Sequence, residues 1–144
     1  MSTKELSIKF DIVHIEETQF SSFDNALDID TAIEQQIGFG FGVDIEQNTI
    51  AVSIDFILRK ENLPLLKESI TCYFKIDKDD FNKQLNQGSS IVLPCGIGKH
   101  LAMITIGTAR GVLFANTKNT PFNQFSLGLV NVDQMFEKDI VIAF

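Results

Sequence analysis

Tryptophan is absent from this 144-residue chain, tyrosine occurs once, and there are only two cysteines, two histidines and three prolines. Each scarcity excludes something. Two cysteines cannot build the disulfide scaffold of a small secreted domain. Cys72 and Cys95 both sit in apolar contexts, where reduced, buried thiols are the expectation; a bond between them is left open by the sequence. His14 and His100 stand far apart, and no Cys or His pair has ligand spacing, so neither zinc nor any other metal or cofactor is expected. Positive charge is also short: 12 Lys and Arg against 19 Asp and Glu give a net charge of −7 and a pI near 4.7. That balance excludes nucleic acid, whose phosphates demand cations, and anionic membrane surfaces. No run approaches 18 apolar residues, so no membrane insertion is expected. Met1-Ser2-Thr3-Lys4-Glu5 leads into an alternating segment with no apolar leader, which points to the cytoplasm.

Catalytic signatures are missing as well. Cys95-Gly96-Ile97-Gly98-Lys99-His100 lacks the earlier glycine of a phosphate loop and the Ser or Thr after Lys. A Cys95–His100 nucleophile pair has no third group in view. Asp79-Asp80 and the Asp28/Asp30 pair read as solvated loop charges. No enzyme is expected.

What the chain has is phenylalanine, 13 of them, within a hydrophobic content of 44%. Phe supplies apolar area without a polar handle, and suits dry cores and apolar protein–protein surfaces. The length suits a single domain spanning residues 1–144. Leu6, Ile8, Phe10 and Ile12 alternate with polar residues, the period of a half-buried strand; the pattern slips at Val13, where a bulge is expected. From Glu16 to Gln36 it is weak. Ser21–Asn25 has loop chemistry, and Asp30–Glu34 suits a helical turn. Ile37, Phe39, Phe41, Val43 and Ile45 then alternate with Gly38, Gly40, Gly42 and Asp44. Ile50, Val52, Ile54, Phe56 and Leu58 follow in the same period. A turn at Gln47-Asn48 pairs Ile45 with Ile50, Val43 with Val52, Phe41 with Ile54, Phe39 with Phe56 and Ile37 with Leu58. The glycines leave one face of that hairpin bare, either as a flat surface approached by something else or as a coiled, solvated face. Lys60–Pro64 is a connection, and Ile70, Cys72, Phe74 and Ile76 mark the apolar face of a strand over Ser69–Asp77. Asp79–Ser90 reads as a polar crossover.

Pro94 suits the first turn of a helix running to Ala115. Ile97, Leu101, Ile104, Thr108 and Val112 form its apolar stripe, widened by Met103, Ile106, Leu113 and Phe114. A helix apolar on more than one face packs against more than one thing, so Leu101, Ile104, Thr108 and Val112 are expected to face a second copy of the chain. Gly96, Gly98, Gly107 and Gly111 on the same helix each cost ~1 kcal/mol relative to Ala, offset where two helices approach closely. Asn116–Asn123 ends the helix. Asn131 caps a short final helix through Lys138. Ile140–Phe144 is an apolar terminus in need of cover.

Ile91-Val92-Leu93-Pro94, the Arg110-Gly111 pair, and the segment Leu127, Val130, Asn131, Asp133, Phe136 come in an order that resembles the C-terminal half of the SecB family of export chaperones. The resemblance spans about Ile37 to Phe136; Leu129 stands where the family usually has proline. It implies an α+β fold: a four-stranded antiparallel sheet, a long helix, a loop and a short C-terminal helix. It implies a homo-oligomer, a dimer or a dimer of dimers, that binds unfolded or partly folded polypeptides in apolar grooves without ATP. The groove-lining positions it implies are Cys72 and Phe74 on the last strand and Phe122, Phe125 and Leu127 in the loop. No Cys or His follows Asn131, so the family's zinc-holding tail is not matched and delivery to a translocase motor is not expected. A dedicated partner-binding or assembly protein on the same fold is the alternative.

Overall fold

A computed structural model describes residues 8–23, 33–125, 127–128 and 130–144. Four antiparallel strands form the main sheet: β1 (Phe10–Ser22), β2 (Glu34–Asp44), β3 (Thr49–Lys60) and β4 (Leu63–Ile76). Their order is β1-β4-β3-β2, so β1 and β2, neighbours in sequence, are its two edges. A short helix, α1 (Lys78–Asp80), widens into a π turn at Phe81–Leu85. Then come β5 (Ser90–Leu93), the long helix α2 (Cys95–Thr117), a 3₁₀ turn (Pro121–Gln124), α3 (Val132–Met135) and β6 (Ile140–Ala143). One face of the sheet is covered by α2; among the described residues no helix covers the other.

The alternating residues carry the core as expected. Ile50, Val52, Ile54, Phe56 and Leu58 of β3 and Ile70, Cys72, Phe74 and Ile76 of β4 are all buried. They share the face toward α2, which answers with Leu101, Ala102, Ile106, Ala109 and Leu113. Thr105 and Thr117 enter this dry layer because their hydroxyls donate back to the carbonyls of Leu101 and Leu113, at 2.9 and 2.7 Å.

The hairpin register differs from the expected one. Val43 pairs with Ile50, Phe41 with Val52, Phe39 with Ile54 and Ile37 with Phe56, a shift of two residues. A slip of two keeps every side chain on its face, so periodicity cannot see it. The turn is instead Ile45–Asn48, closed by the Asn48 N–H donating to the Ile45 carbonyl and the Gln47 N–H donating to Asp44 Oδ1, both at 3.3 Å. Asn48 takes the left-handed conformation, φ 51°.

Four boundaries also move. β1 runs on to Ser22 through two bulges, at Val13 and at Thr18; the second flips the parity again and hides the strand from a period of two. β4 starts at Leu63, because Glu61 and Asn62 alone make the turn, with φ of 51° and 70°. The polar crossover holds buried Phe81 and Leu85. Pro94 is the N-cap of α2 rather than inside its first turn. The final helix is confined to Val132–Met135, with Asn131 Oδ1 accepting from the Gln134 N–H at 3.2 Å. Leu6, Asp24, Asn25, Asp28, Asp30–Ala32 and Leu129 lie outside the described residues.

The apolar terminus finds its cover by pairing. β6 joins β5 antiparallel, Ile142 opposite Ile91 and Ile140 opposite Leu93, and buries Ile142 while Val141 faces out. Two strands 47 positions apart give no local signal of this. The same segment secures the start of α2: Asp139 Oδ1 accepts from the Cys95 N–H at 2.9 Å, a carboxylate on orphan donors that Pro94 cannot cap. Lys99 adds an ion pair to Asp133 at 3.1 Å.

Candidate functional site

Among the described residues β1 is bonded to β4 along one edge, and no strand pairs with its other edge. Because of the bulge at Val13, Ile12, Ile15 and Glu17 lie opposite Phe74, Cys72 and Ile70 and so share the face toward α2. That face is incompletely covered: Ile12 is 44% and Ile15 48% exposed, while the bulged Val13 sits with His14, Thr49 and Tyr73 on the other face. Helix α2 meets β1 at two places. The His100 ring packs edge-on against Phe10 at 5.6 Å, and Asn116 Nδ2 donates to Glu17 Oε1 at 3.0 Å. Ile104, Thr108 and Val112 lie between those contacts at steps of four residues, on the same side of the helix, and all three are half-buried. The result is an open apolar strip: Ile12 and Ile15 on one wall, Ile104, Thr108 and Val112 on the other, and an unpaired strand edge beside it.

The groove candidates Cys72 and Phe74 are the sealed floor next to Ile15 and Ile12, and neither is exposed. Phe122 and Leu127 belong to the same buried cluster, and Phe125 packs half-exposed against it. Leu101 is fully buried in the core, where it ties α2 to the sheet, apart from Ile104, Thr108 and Val112. The strip residues that sequence reasoning missed are Ile12 and Ile15. Their signal was the parity slip at Val13.

The far side of α2 carries a second apolar surface. Met103 and Phe114 are 59% and 62% exposed, with Gly107 and Gly111 exposed between them. A Cβ on either glycine would meet nothing within 4 Å, so the subunit itself does not demand glycine there. Next to this face Met103, Ile106, Arg110, Val130 and Val132 line a recess of about 220 Å³. Arg110 fastens the loop beyond the helix: Nε donates to the Leu127 carbonyl at 3.1 Å and Nη2 to the Gly128 carbonyl at 2.9 Å. From β2, Gln35 Oε1 accepts from the Gly128 N–H at 3.2 Å. Phe136 packs edge-on against Phe39 and Phe41 at 5.4 and 5.5 Å.

One charge lies where a hydrocarbon belongs. Glu68, opposite Phe20 on β1 and Phe56 on β3, is 1% exposed, and neither carboxylate oxygen has a hydrogen-bond partner. Burial, and then the nearby Glu17 charge, push its carboxyl up to about 7. The signal was a Glu at a core-parity position between Leu66 and Ile70.

The face of the sheet away from α2 carries a network of polar side chains. Ser53 and Thr71 hydroxyls bond at 2.8 Å, and Ser69 bonds Asp55. A Cβ on Gly38 would meet nothing within 4 Å, and one on Gly40 or Gly42 only a neighbouring Cβ at 3.9 Å. Tyr73 donates to Glu16 Oε2 at 3.0 Å and stacks obliquely on His14 at 5.6 Å. That hydrogen bond, ahead of burial and the Glu16 charge, raises the phenol's pKa. Among the described residues no group of three His, Cys, Asp or Glu could hold a metal ion. Among the same residues no helix is long and apolar enough to cross a membrane.

No protein-family model matches this chain, and no curated protein does. Among solved structures it is similar to the SecB-like chaperone Rv1957 of Mycobacterium tuberculosis, solved in complex with a ChAD peptide from the HigA1 antitoxin Rv1956. The likeness covers 85% of this chain and 88% of that one, with a TM-score of 0.55 at 12% sequence identity. At that identity the likeness speaks for the fold, and the fold of this chain is the SecB-like α+β fold.

Proposed function

We propose that this chain is an ATP-independent chaperone that binds non-native polypeptide along the strip between β1 and α2. One observation carries the reading. Half-exposed Ile12 and Ile15 stand on a strand whose outer edge is unpaired among the described residues, in a fold shared with a SecB-like chaperone solved with a bound peptide. An extended client segment would hydrogen-bond the free edge of β1 and lay alternate apolar side chains against Ile12, Ile15, Ile104 and Thr108. Main-chain pairing is indifferent to client sequence, and an open apolar wall tolerates many side chains. Both suit a binder of unfolded chains.

The protein acts here as a homo-oligomer in the cytoplasm. Met103, Gly107, Gly111 and Phe114 of α2 are its self-association face, where exposed glycines let a second α2 approach closely. Suppression of client aggregation tests the function. Several unrelated unfolded clients should stay soluble at equimolar oligomer without nucleotide. Indifference to all of them, with capture of one stoichiometric folded partner, would replace the chaperone reading with a dedicated partner-binding role on the same fold.

A further inference from the structure

The cost of Glu68 needs an explanation that the core alone does not supply. A carboxyl without a partner in an apolar layer destabilises the subunit, and an apolar residue of similar shape would not. Among the described residues its surroundings are poor in compensating charge. β3 places Phe56 beside it and β1 places Phe20. Lys67, its neighbour on β4, has the opposite parity, and Arg59 of β3 has a buried Nε that bonds nothing. Glu68 makes no ion pair with any described residue. At the end of α2, Asn116 and Thr117 are neutral and engaged with Glu17 and Leu113. The group that does act on it is Glu17, exposed on β1, on the same face, at the end of the apolar strip. Glu17 spends one oxygen on Asn116 and offers the other to whatever lies in the strip.

We propose that Glu17 receives a Lys or Arg side chain of the bound polypeptide and that Glu68, diagonal to it on the same face of the sheet, releases its proton in response. The inference rests on the strip being the polypeptide site. The step balances simply: the Glu68 O–H bond breaks, the proton passes to solvent, and a carboxylate remains. The cause is electrostatic. With Glu17 unpaired, its negative charge opposes a second negative charge at Glu68 and favours the protonated acid. A cation on Glu17 cancels that field and relieves the opposition, without touching Glu68. The buried acid thus reads the charge of the client, and binding of basic segments becomes coupled to pH near neutrality.

Calorimetric titration tests this on the full chain near pH 7, in two buffers of different ionisation heat. The ligands are one unfolded apolar peptide carrying a single Lys and its Lys→Gln counterpart. The Lys peptide should bind roughly two- to fivefold more tightly and release a fraction of a proton that the Gln peptide does not. Glu68→Gln should keep the affinity difference and lose the proton; Glu17→Gln should lose both. Carboxyl NMR of the free protein supplies an independent arm: the Glu68 midpoint, near 7, should fall in Glu17→Gln. Equal affinity for the two peptides, equal proton release from wild type and Glu68→Gln, or an unmoved Glu68 midpoint each overturns the inference while leaving the strip as a polypeptide site. Binding of neither peptide overturns that site and the inference with it.

Discussion

A Cβ built on Gly98 would lie 2.5 Å from Cδ1 of Ile140. The start of α2 and the C-terminal strand β6 are therefore packed so closely that the helix residue is glycine. The contact joins two parts of the chain that share no local sequence pattern, and it fixes the β5–β6 ribbon to the helix lining the strip.

Gly98→Ala should show this coupling. Ala in a helix gains ~1 kcal/mol over Gly, but here the methyl must drive the end of Ile140 out of its rotamer, at about 0.5–1.5 kcal/mol. The substitution should be near neutral in wild type and stabilising by about 1 kcal/mol in an Ile140→Val background, where Cδ1 is gone. Denaturant unfolding of the four proteins in the cycle reads the coupling directly; strict additivity would mean that the two residues do not touch.

Gly107 and Gly111 are the contrast, since a Cβ there meets nothing within the subunit. Each changed to Ala should stabilise the subunit by about 1 kcal/mol and lower the oligomer mass seen by light scattering at low concentration. Unchanged assembly would remove this face of α2 from the oligomer.

Glu68 sets a pH dependence whose sign follows from its raised carboxyl, at about 7 when folded against the ordinary 4.5. Between those values the native state holds a proton that the unfolded state has lost. Stability from this group is therefore fully present below pH 4.5, falls as pH rises toward 7, and is flat above it. Glu68→Gln should flatten that window and be more stable than wild type at pH 8, by on the order of 2 kcal/mol. Thermal melts from pH 5 to 8 measure it; parallel curves for the two proteins would show Glu68 to be paired in solution.

Arg110 holds the loop after α2 by its bonds to the Leu127 and Gly128 carbonyls. Arg110→Ala should cost about 1–3 kcal/mol and speed amide exchange at Gly128. Arg110→Lys should recover little, because one ammonium cannot reproduce the planar fork.

Much of this fold is legible in sequence because its core strands are half-buried and regular. Ile50 to Leu58 and Ile70 to Ile76 declare their inward face residue by residue, and Asn131 declares a cap. What escapes does so for physical reasons. The period of two is blind to the two-residue hairpin shift that sets Val43 opposite Ile50. The bulge at Val13 shows in the sequence, but the second at Thr18 breaks the parity of β1 again, so the strand beyond Glu16 reads as weak. The pairing of Ile142 with Ile91 depends on contacts between distant segments. Cys72, Phe74, Phe122 and Leu127 are buried in the core of the subunit, and sequence alone does not separate a sealed floor from an open wall. Glu68 was visible as a Glu in a core-parity position, and Ile12 and Ile15 became visible once the bulge at Val13 was placed.

The most direct test of the account is binding of a reduced, permanently unfolded polypeptide to the purified protein, with oligomeric mass followed by light scattering, for wild type and for Ile12→Asp/Ile15→Asp. The account predicts micromolar or tighter binding by the wild-type oligomer, none of the folded form of the same polypeptide, and at least a tenfold loss in the double variant with its fold retained by circular dichroism. A folded oligomer that ignores unfolded chains, or a double variant that binds as well as wild type, would contradict it.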